Sequence, residues 1–307
     1  MPNSCLLWAR RISPARLTVA AAIEPFAFRS RDGLRLAGDR SGVWGAQSVI
    51  LLHGGGQTRH SWGGAMRELA ARGFHVTNLD ARGHGDSEWA SQADHYALQY
   101  MAEDIQLVID GLPNAPVLIG ASMGGLSALQ CLVSAQRKVA SGLILVDVVP
   151  RIERHGAERI LRFMNANPDG FATVEEAAEA VAQYNPNRPR PKNAHGLMKN
   201  LRKSPDGRLR WHWDPKFTKS MRGDETHHLG WNLARGGHFN EPAMLVRGLH
   251  SDIVSEEGIA DLKAALPQLE VFDVAAAGHM IAGDKNDAFN FAVLEFLRRQ
   301  HMSGAVE

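Results

Sequence analysis

Short apolar runs alternate regularly with helical patterns along most of the chain. Runs such as SVILLH at residues 48–53 and GLILVDV at residues 142–148 have consecutive apolar residues and no alternation with polar ones. This pattern is typical of strands that are buried on both faces. An amphipathic pattern at residues 96–111 is typical of the helices between them. Strands that alternate with helices form a mostly parallel sheet covered on both sides. We therefore predict an α/β fold with a doubly wound sheet.

The same patterns give the expected positions of the elements around this sheet. The predicted strands are residues 26–29, 34–37, 48–53, 74–80, 116–121, 142–148, 243–247 and 269–274. The predicted helices are residues 61–72, 96–111, 122–134, 256–266 and 286–300. These elements assign residues 26–149 and 241–302 to one core, with residues 1–25 as a flexible N-terminal extension.

Residues 150–240 differ in character because they lack apolar runs of the strand type. They contain helical patterns at residues 157–165 and 173–183 and a stretch rich in Pro and Arg. An insertion of about 90 residues is too long for a loop, so we predict a small helical cap. Because it leaves the sheet after one strand and returns before another, it should lie over the carboxyl ends of the strands. Open α/β sheets bind their ligands at that edge.

The segment Gly120-Ala121-Ser122-Met123-Gly124 joins a predicted strand to a predicted helix. A sharp turn at this point would hold the serine in a strained conformation and admit only small residues on either side. It would also lift the hydroxyl clear of the sheet at a helix N-terminus. We predict that Ser122 is a nucleophile; the alternative is a small-residue turn that only packs the helix on the strand.

A serine hydroxyl needs a base, and the base needs an orienting carboxylate. Sites built on such a turn supply these groups in the order Ser, acid, His. His279, after the last predicted strand, is the expected base among 14 histidines. Asp252, in the loop after residues 243–247, is the preferred acid, and Asp147, at the end of LILVD, is its rival. The predicted triad is therefore Ser122, Asp252 and His279.

Acyl transfer also needs hydrogen-bond donors for the oxyanion. His53-Gly54-Gly55-Gly56 follows a long predicted strand, and glycines there let a backbone N–H approach the substrate. The predicted donors are the N–H groups of Gly55 and of Met123, the residue after the nucleophile. Gly56 replaces Gly55 if the loop is shifted by one residue.

The expected substrate pocket includes His53, Gly56, Trp211 and Trp213. Two tryptophans so close in sequence are hard to bury within a thin cap, so we expect them to reach the pocket. The alternative is that they only hold the cap together. For His53 the alternative is a hydrogen bond to the backbone of its own loop.

The cluster at residues 80–87, DARGHGDS, contains acids and a histidine but fits no zinc spacing. We interpret it as a structural turn in which Arg82 pairs with Asp86. A glycine pattern for dinucleotides and a phosphate-loop lysine are both missing from the sequence. The sequence therefore predicts neither a metal nor another cofactor.

Charge and composition limit the partners and the compartment. Lys plus Arg is 34 and Asp plus Glu is 33, so a net charge of +1 argues against a nucleic-acid partner. Two cysteines and the lack of a long apolar run predict a soluble, cytoplasmic protein with no membrane span. The first 23 residues contain Arg10, Arg11 and Arg16 but no acid, which leaves organellar targeting or export open. The oligomeric state is not indicated.

These motifs together resemble the α/β-hydrolase superfamily, in the branch with a helical cap. The resemblance rests on LLHGGG at 51–56, DARGHGDS at 80–87, GASMGG at 120–125, LILVD at 143–147, RGLHSD at 247–252 and AAGHM at 276–280. It implies a serine hydrolase that cleaves a small-molecule carboxylic ester through an acyl-enzyme, without a cofactor. Family members with epoxide hydrolase or dehalogenase activity have Asp where this chain has Ser122, so both activities are disfavoured.

The resemblance is less specific for the reaction than for the fold. A lactonase, a C–C bond hydrolase and a cofactor-free haloperoxidase or perhydrolase would use the same triad. A ligand receptor without turnover on a hydrolase scaffold is an alternative of another class, disfavoured because every triad and oxyanion element is present.

Overall fold

The fold is described from a computed structural model of the chain. The described residues are 22–186, 194–220, 226, 229–230, 232, 239–275, 278–279 and 286–303. Most of the predicted N-terminal extension therefore lies outside the described residues, and its last two residues, Glu24 and Pro25, begin the first strand.

An eight-stranded sheet forms the centre of the molecule. In spatial order its strands are β1 (Glu24–Arg29), β2 (Arg35–Ser41), β4 (His75–Leu79), β3 (Ser48–Leu52), β5 (Val117–Ala121), β6 (Gly142–Val146), β9 (Ala243–Gly248) and β10 (Leu269–Val274). β2 is antiparallel to both β1 and β4, and all other neighbours are parallel. The predicted mostly parallel α/β sheet is confirmed.

Helices cover both faces of the sheet because consecutive residues of the buried strands point to opposite sides. On one face, Ile50 belongs to a core shared with α2 (Leu98–Asp110), α3 (Met123–Ser134) and α7 (Glu256–Ala265). On the other face, its neighbour Leu51 belongs to a core shared with α1 (Gly63–Ala71) and α8 (Asn286–Ser303). The continuous apolar runs in the sequence thus serve two cores at once.

A cap lies in the chain between β6 and β9. Its elements are α4 (Arg154–Asn165), α5 (Val174–Tyr184), a 3-10 helix (Ala194–Asn200), β7 (Leu201–Lys203), β8 (Leu209–Trp211) and α6 (Pro215–Ser220). The cap was expected to be helical, but β7 and β8 form a small antiparallel sheet. Strands of three residues are too short to show a period. The turn residues Pro205-Asp206-Gly207 were the available signal for this hairpin.

A third apolar core joins the cap to the sheet domain near the end of β5. It brings Trp211, Trp213 and Phe217 of the cap together with Tyr96 and Met123. Within the described ranges, no helix is long and apolar enough to cross a lipid bilayer.

Candidate active site

Ser122 occupies the sharp turn between β5 and α3. Its φ is 47° and its ψ is −116°, a backbone conformation that residues other than glycine rarely adopt. Its N–H donates to Val146 O at 3.1 Å. A Cβ atom added at Gly120 would overlap the backbone of Gly124 and Gly125, and one added at Gly124 would overlap Leu52. The small residues around Ser122 are therefore required by the close approach of α3 to the sheet.

The His279 ring is bound by a carboxylate at the end of β6. Its Nδ1 lies 2.8 Å from Oδ2 of Asp147, which is fully buried and has a φ of 49°. The same carboxylate accepts hydrogen bonds from the Gly248 N–H at 3.0 Å and from the Ser251 hydroxyl at 2.6 Å. A ring that donates from Nδ1 to a carboxylate leaves Nε2 as a proton acceptor.

The glycine loop after β3 is held by hydrogen bonds on either side of Gly55. The Gly54 N–H donates to the Gln57 side chain and the Gly56 N–H donates to His84 Nε2, both at 3.1 Å. Among the described residues, none accepts a hydrogen bond from the Gly55 N–H. The Gly54 carbonyl accepts from His53 Nδ1 at 2.8 Å. Because that carbonyl and the Gly55 N–H belong to one trans peptide, they point in opposite directions.

A cavity of about 830 Å³ brings these groups together. Ser122, His279, Gly55 and Met123 all line it, and Met123 lies in the first turn of α3, where N–H groups lack acceptors within the helix. The further predicted pocket residues on its wall are Gly56, Trp211 and Trp213. The two indole rings stack at 4.9 Å between centroids, with 11° between their planes.

A family model of the alpha/beta hydrolase fold matches residues 47–285 of the chain. The chain belongs to the α/β-hydrolase family. The predicted family and fold are thereby confirmed.

Esterases are among the relatives of this α/β-hydrolase. Esterase Rv0045c of Mycobacterium tuberculosis is 30% identical over 253 residues, which are 79% of this chain and 80% of that protein. Esterase YbfF of Escherichia coli is 27% identical over 255 residues, which are 81% and 92% of the two chains. A solved structure of the M. tuberculosis esterase matches with a TM-score of 0.74 at 25% identity, over 92% of this chain and 93% of that chain. These relatives are of the esterase type that the motifs imply.

The acid partner of His279 differs from the prediction. Within the described residues, Asp252 forms no hydrogen bond with the ring; its carboxylate accepts two hydrogen bonds from Arg159 of α4, at 2.6 Å from Nε and 3.0 Å from Nη2. Burial raises the pKa of Asp252 and the Arg159 guanidinium lowers it, with a net shift downward. The structure does not bring the preferred residue to the ring: the cap supplies an arginine to Asp252, whereas Asp147 follows β6, which lies between β5 and β9, and binds the histidine. The rival residue of the sequence analysis is the one that the structure places on the ring.

His53 directly precedes the glycine loop and, contrary to the prediction, does not line the large cavity. It is 1% exposed, and its Nε2 accepts from the Ala81 N–H at 3.0 Å while Nδ1 binds the Gly54 carbonyl. Burial lowers the pKa of His53, so the ring is neutral, with a donor on one side and an acceptor on the other. Its contacts are those of the alternative interpretation, a histidine that hydrogen-bonds loop backbone.

The predicted pair of Arg82 and Asp86 is also absent. Arg82 binds Asp104 of α2 at 2.7 and 2.8 Å and reaches Asp32, whereas Asp86 binds Arg59 at 2.8 Å. These partners come from distant parts of the chain, so residue spacing within the turn could not indicate them.

Two residues of the site were not predicted. His84 and His212 are both buried, and each has a ring nitrogen within hydrogen-bond distance of Gly56. In the sequence, His84 is one residue of the predicted structural turn at residues 80–87. His212 is the residue between Trp211 and Trp213, and no role is predicted for it. Their common feature, contact with the glycine loop, appears only in three dimensions.

Proposed function

We propose that this α/β-hydrolase is a serine hydrolase that cleaves a small-molecule carboxylic ester through an acyl-enzyme intermediate. The observation that carries the proposal is the hydrogen bond between His279 and buried Asp147, at a cavity that Ser122 also lines. The esterase relatives support the same reaction class.

In this mechanism His279 Nε2 takes the proton of the Ser122 hydroxyl as the oxygen attacks the acyl carbon. The Asp147 carboxylate fixes the tautomer of the ring and stabilises the imidazolium that forms. His279 then donates its proton to the leaving alcohol. A water molecule attacks the acyl-enzyme by the same route and releases the acid, which restores Ser122.

The oxyanion of the tetrahedral intermediate is held by the N–H groups of Gly55 and Met123 in this proposal. Both residues line the cavity with Ser122. The neighbouring amides of Gly54 and Gly56 already have acceptors, which favours Gly55 over Gly56 as the donor of the loop. Fixed donors of this kind are effective because they need no reorganisation during the reaction.

The cavity favours an ester with a substantial apolar part. Its wall includes Trp211, Trp213, Phe163, Phe217 and Met164, and apolar walls with a few polar groups are typical of small-molecule sites. A volume of about 830 Å³ admits more than an acetyl group.

The test is hydrolysis of a series of p-nitrophenyl esters, from acetate to long acyl chains, by the wild-type protein and Ser122→Ala. We expect turnover that Ser122→Ala abolishes, with an optimum above acetate. Thermal unfolding of both proteins checks that the variant is folded. Equal turnover by folded Ser122→Ala would refute the mechanism.

A further inference from the structure

Two buried histidines from different parts of the molecule hold both polar groups of Gly56. His84 lies in the loop after β4 and accepts from the Gly56 N–H at 3.1 Å. His212 lies in the cap after β8, and its Nε2 is 3.2 Å from the Gly56 carbonyl oxygen. The two residues are 0% and 1% exposed, and their ring centroids are 5.7 Å apart.

The remaining ring nitrogens fix the hydrogen-bond directions. His212 Nδ1 accepts from the Gly85 N–H at 2.8 Å, so its Nε2 carries the proton and donates to Gly56. His84 accepts at Nε2, so its Nδ1 donates to the Arg82 carbonyl at 3.1 Å. Both rings are therefore neutral, and burial lowers the pKa of both, that of His212 to about 3.

The same part of the cap also packs on the glycine loop. A Cβ atom at Gly56 would lie 3.3 Å from the Trp213 ring, and one at Gly55 would lie 3.4 Å from Phe217. The backbone N–H of Asp214 donates to Gly83 O at 2.9 Å. Residues 211–217 are thus seated on the loop that would supply the oxyanion donor.

Three consecutive glycines hold a backbone donor in one position only if other contacts restrict their backbone, because glycine has the widest choice of backbone conformations. Gly56 has a φ of 72°, and its N–H and carbonyl are each bound by one histidine. The peptide that carries the Gly55 N–H is next to the peptide whose N–H His84 binds, and it is two peptides away from the carbonyl that His212 binds. Restraint of Gly56 from both sides therefore restrains the Gly55 donor.

We propose that His212 is a positioning residue that ties the seating of the cap to the geometry of the oxyanion hole. It acts through Gly56 and does not touch the reacting atoms. The inference rests on the proposed function, since it concerns the Gly55 donor of the acyl-transfer site.

Two variants of one residue separate its two hydrogen bonds. In His212→Gln the amide nitrogen can take the position of Nε2 and donate to Gly56. In His212→Asn the amide oxygen can take the position of Nδ1 and accept from Gly85, but the donor to Gly56 is lost. Lys216→Met is the control, because Lys216 joins the same segment to Ala90 O at 2.7 Å without contact to Gly56.

Steady-state kinetics use the p-nitrophenyl ester that the wild-type protein hydrolyses fastest. His212→Asn should lower kcat roughly 10- to 100-fold with KM nearly unchanged, because the Gly55 N–H donor is misaligned. His212→Gln should restore most of kcat, and Lys216→Met should keep it. Affinity for a trifluoromethyl ketone, whose adduct with Ser122 carries an oxyanion, should fall in His212→Asn by a similar factor.

The inference is overturned if the Asn and Gln variants have equal kcat, or if kcat follows the melting temperature across all three variants. A purely structural histidine would give that result. Because wild-type turnover and its loss in Ser122→Ala test the proposed function separately, these outcomes in an active enzyme contradict the role of His212 alone.

Discussion

Two aspartates follow neighbouring strands of the sheet, and they bind different parts of the molecule. Asp147 directly follows β6, is fully buried and contacts His279. Asp252 lies further along the loop after β9, is partly exposed and contacts Arg159 of the cap. The residue type is the same, so the difference comes from the distance of each residue from its strand and from what the sheet and the cap bring to each carboxylate.

The two carboxylates also differ in how their backbone is fixed. The Asp147 N–H donates to Val246 O at 2.8 Å, which continues the sheet by one residue. Asp252 is instead packed against α4, where a Cβ atom at Gly156 would overlap its carbonyl. Side chains on strands are placed more precisely than side chains on loops, which favours Asp147 over Asp252 as the group that orients the His279 ring.

Substitution of each aspartate by asparagine should separate their roles in turnover. Asp147→Asn should lower kcat by roughly 10³- to 10⁴-fold, because the amide cannot hold the His279 tautomer or stabilise its charged form. Asp252→Asn should lower kcat by less than about tenfold, since it loses a contact to the cap. Steady-state kinetics on one p-nitrophenyl ester measures both. A larger loss of kcat in Asp252→Asn than in Asp147→Asn would show that Asp252 is the acid that acts on His279.

The Asp147 carboxylate should also depend on the hydrogen bond that it accepts from Ser251. Ser251→Ala removes the hydroxyl that donates to this carboxylate, and we expect kcat to fall roughly tenfold. Ser255→Ala is the matched control in the same loop, because it removes the N-cap of α7 and should lower stability by about 1 kcal/mol without a change in kcat. If the two variants have the same kcat, Ser251 does not support the acid.

The ion pair of Arg159 and Asp252 should contribute to the stability of the cap. A double-mutant cycle of Arg159→Met and Asp252→Asn, measured by urea unfolding, should give a coupling energy of about 0.5–1 kcal/mol. The value is small because both side chains are about a third exposed. Arg151→Met, which removes an exposed pair with Asp261, is the control and should have little effect. A coupling energy near zero would show that this pair does not hold the cap.

The smallest effect is a pH dependence of the same pair. The folded pKa of Asp252 is below its ordinary value of 3.8, so its ionised form favours the folded state. This contribution is fully present above the unfolded pKa and is lost as pH falls through the folded pKa. The stability difference between wild type and Asp252→Asn should thus be constant from about pH 8 to 5 and narrow below about pH 4. A difference that grows in acid would contradict the ion pair.

The sequence predicted what local patterns determine. The strands and helices of the sheet domain lie within a few residues of their expected positions because periodicity and turn residues are local signals. Ser122 and His279 were expected at one site, and both line one cavity. The sharp turn at Ser122 could be predicted from the sequence because its glycines lie directly between a predicted strand and a predicted helix.

Contacts between distant parts of the chain were not predictable in this way. The choice between Asp147 and Asp252 depends on the order of β5, β6 and β9 and on Arg159 of the cap. The two histidines that bind Gly56 are far from it in the chain: His84 is 28 residues away and His212 is 156 residues away. Spacing within a motif holds no information about such partners.

The NMR signal of the His279 Nδ1 proton reports directly which aspartate binds the ring. A histidine proton bonded to a buried carboxylate gives a far-downfield resonance, and its assignment follows from its loss in His279→Gln. We predict that the signal persists in Asp252→Asn and is lost or strongly shifted in Asp147→Asn. A signal that survives in Asp147→Asn and disappears in Asp252→Asn would contradict the assignment of Asp147 as the partner of His279.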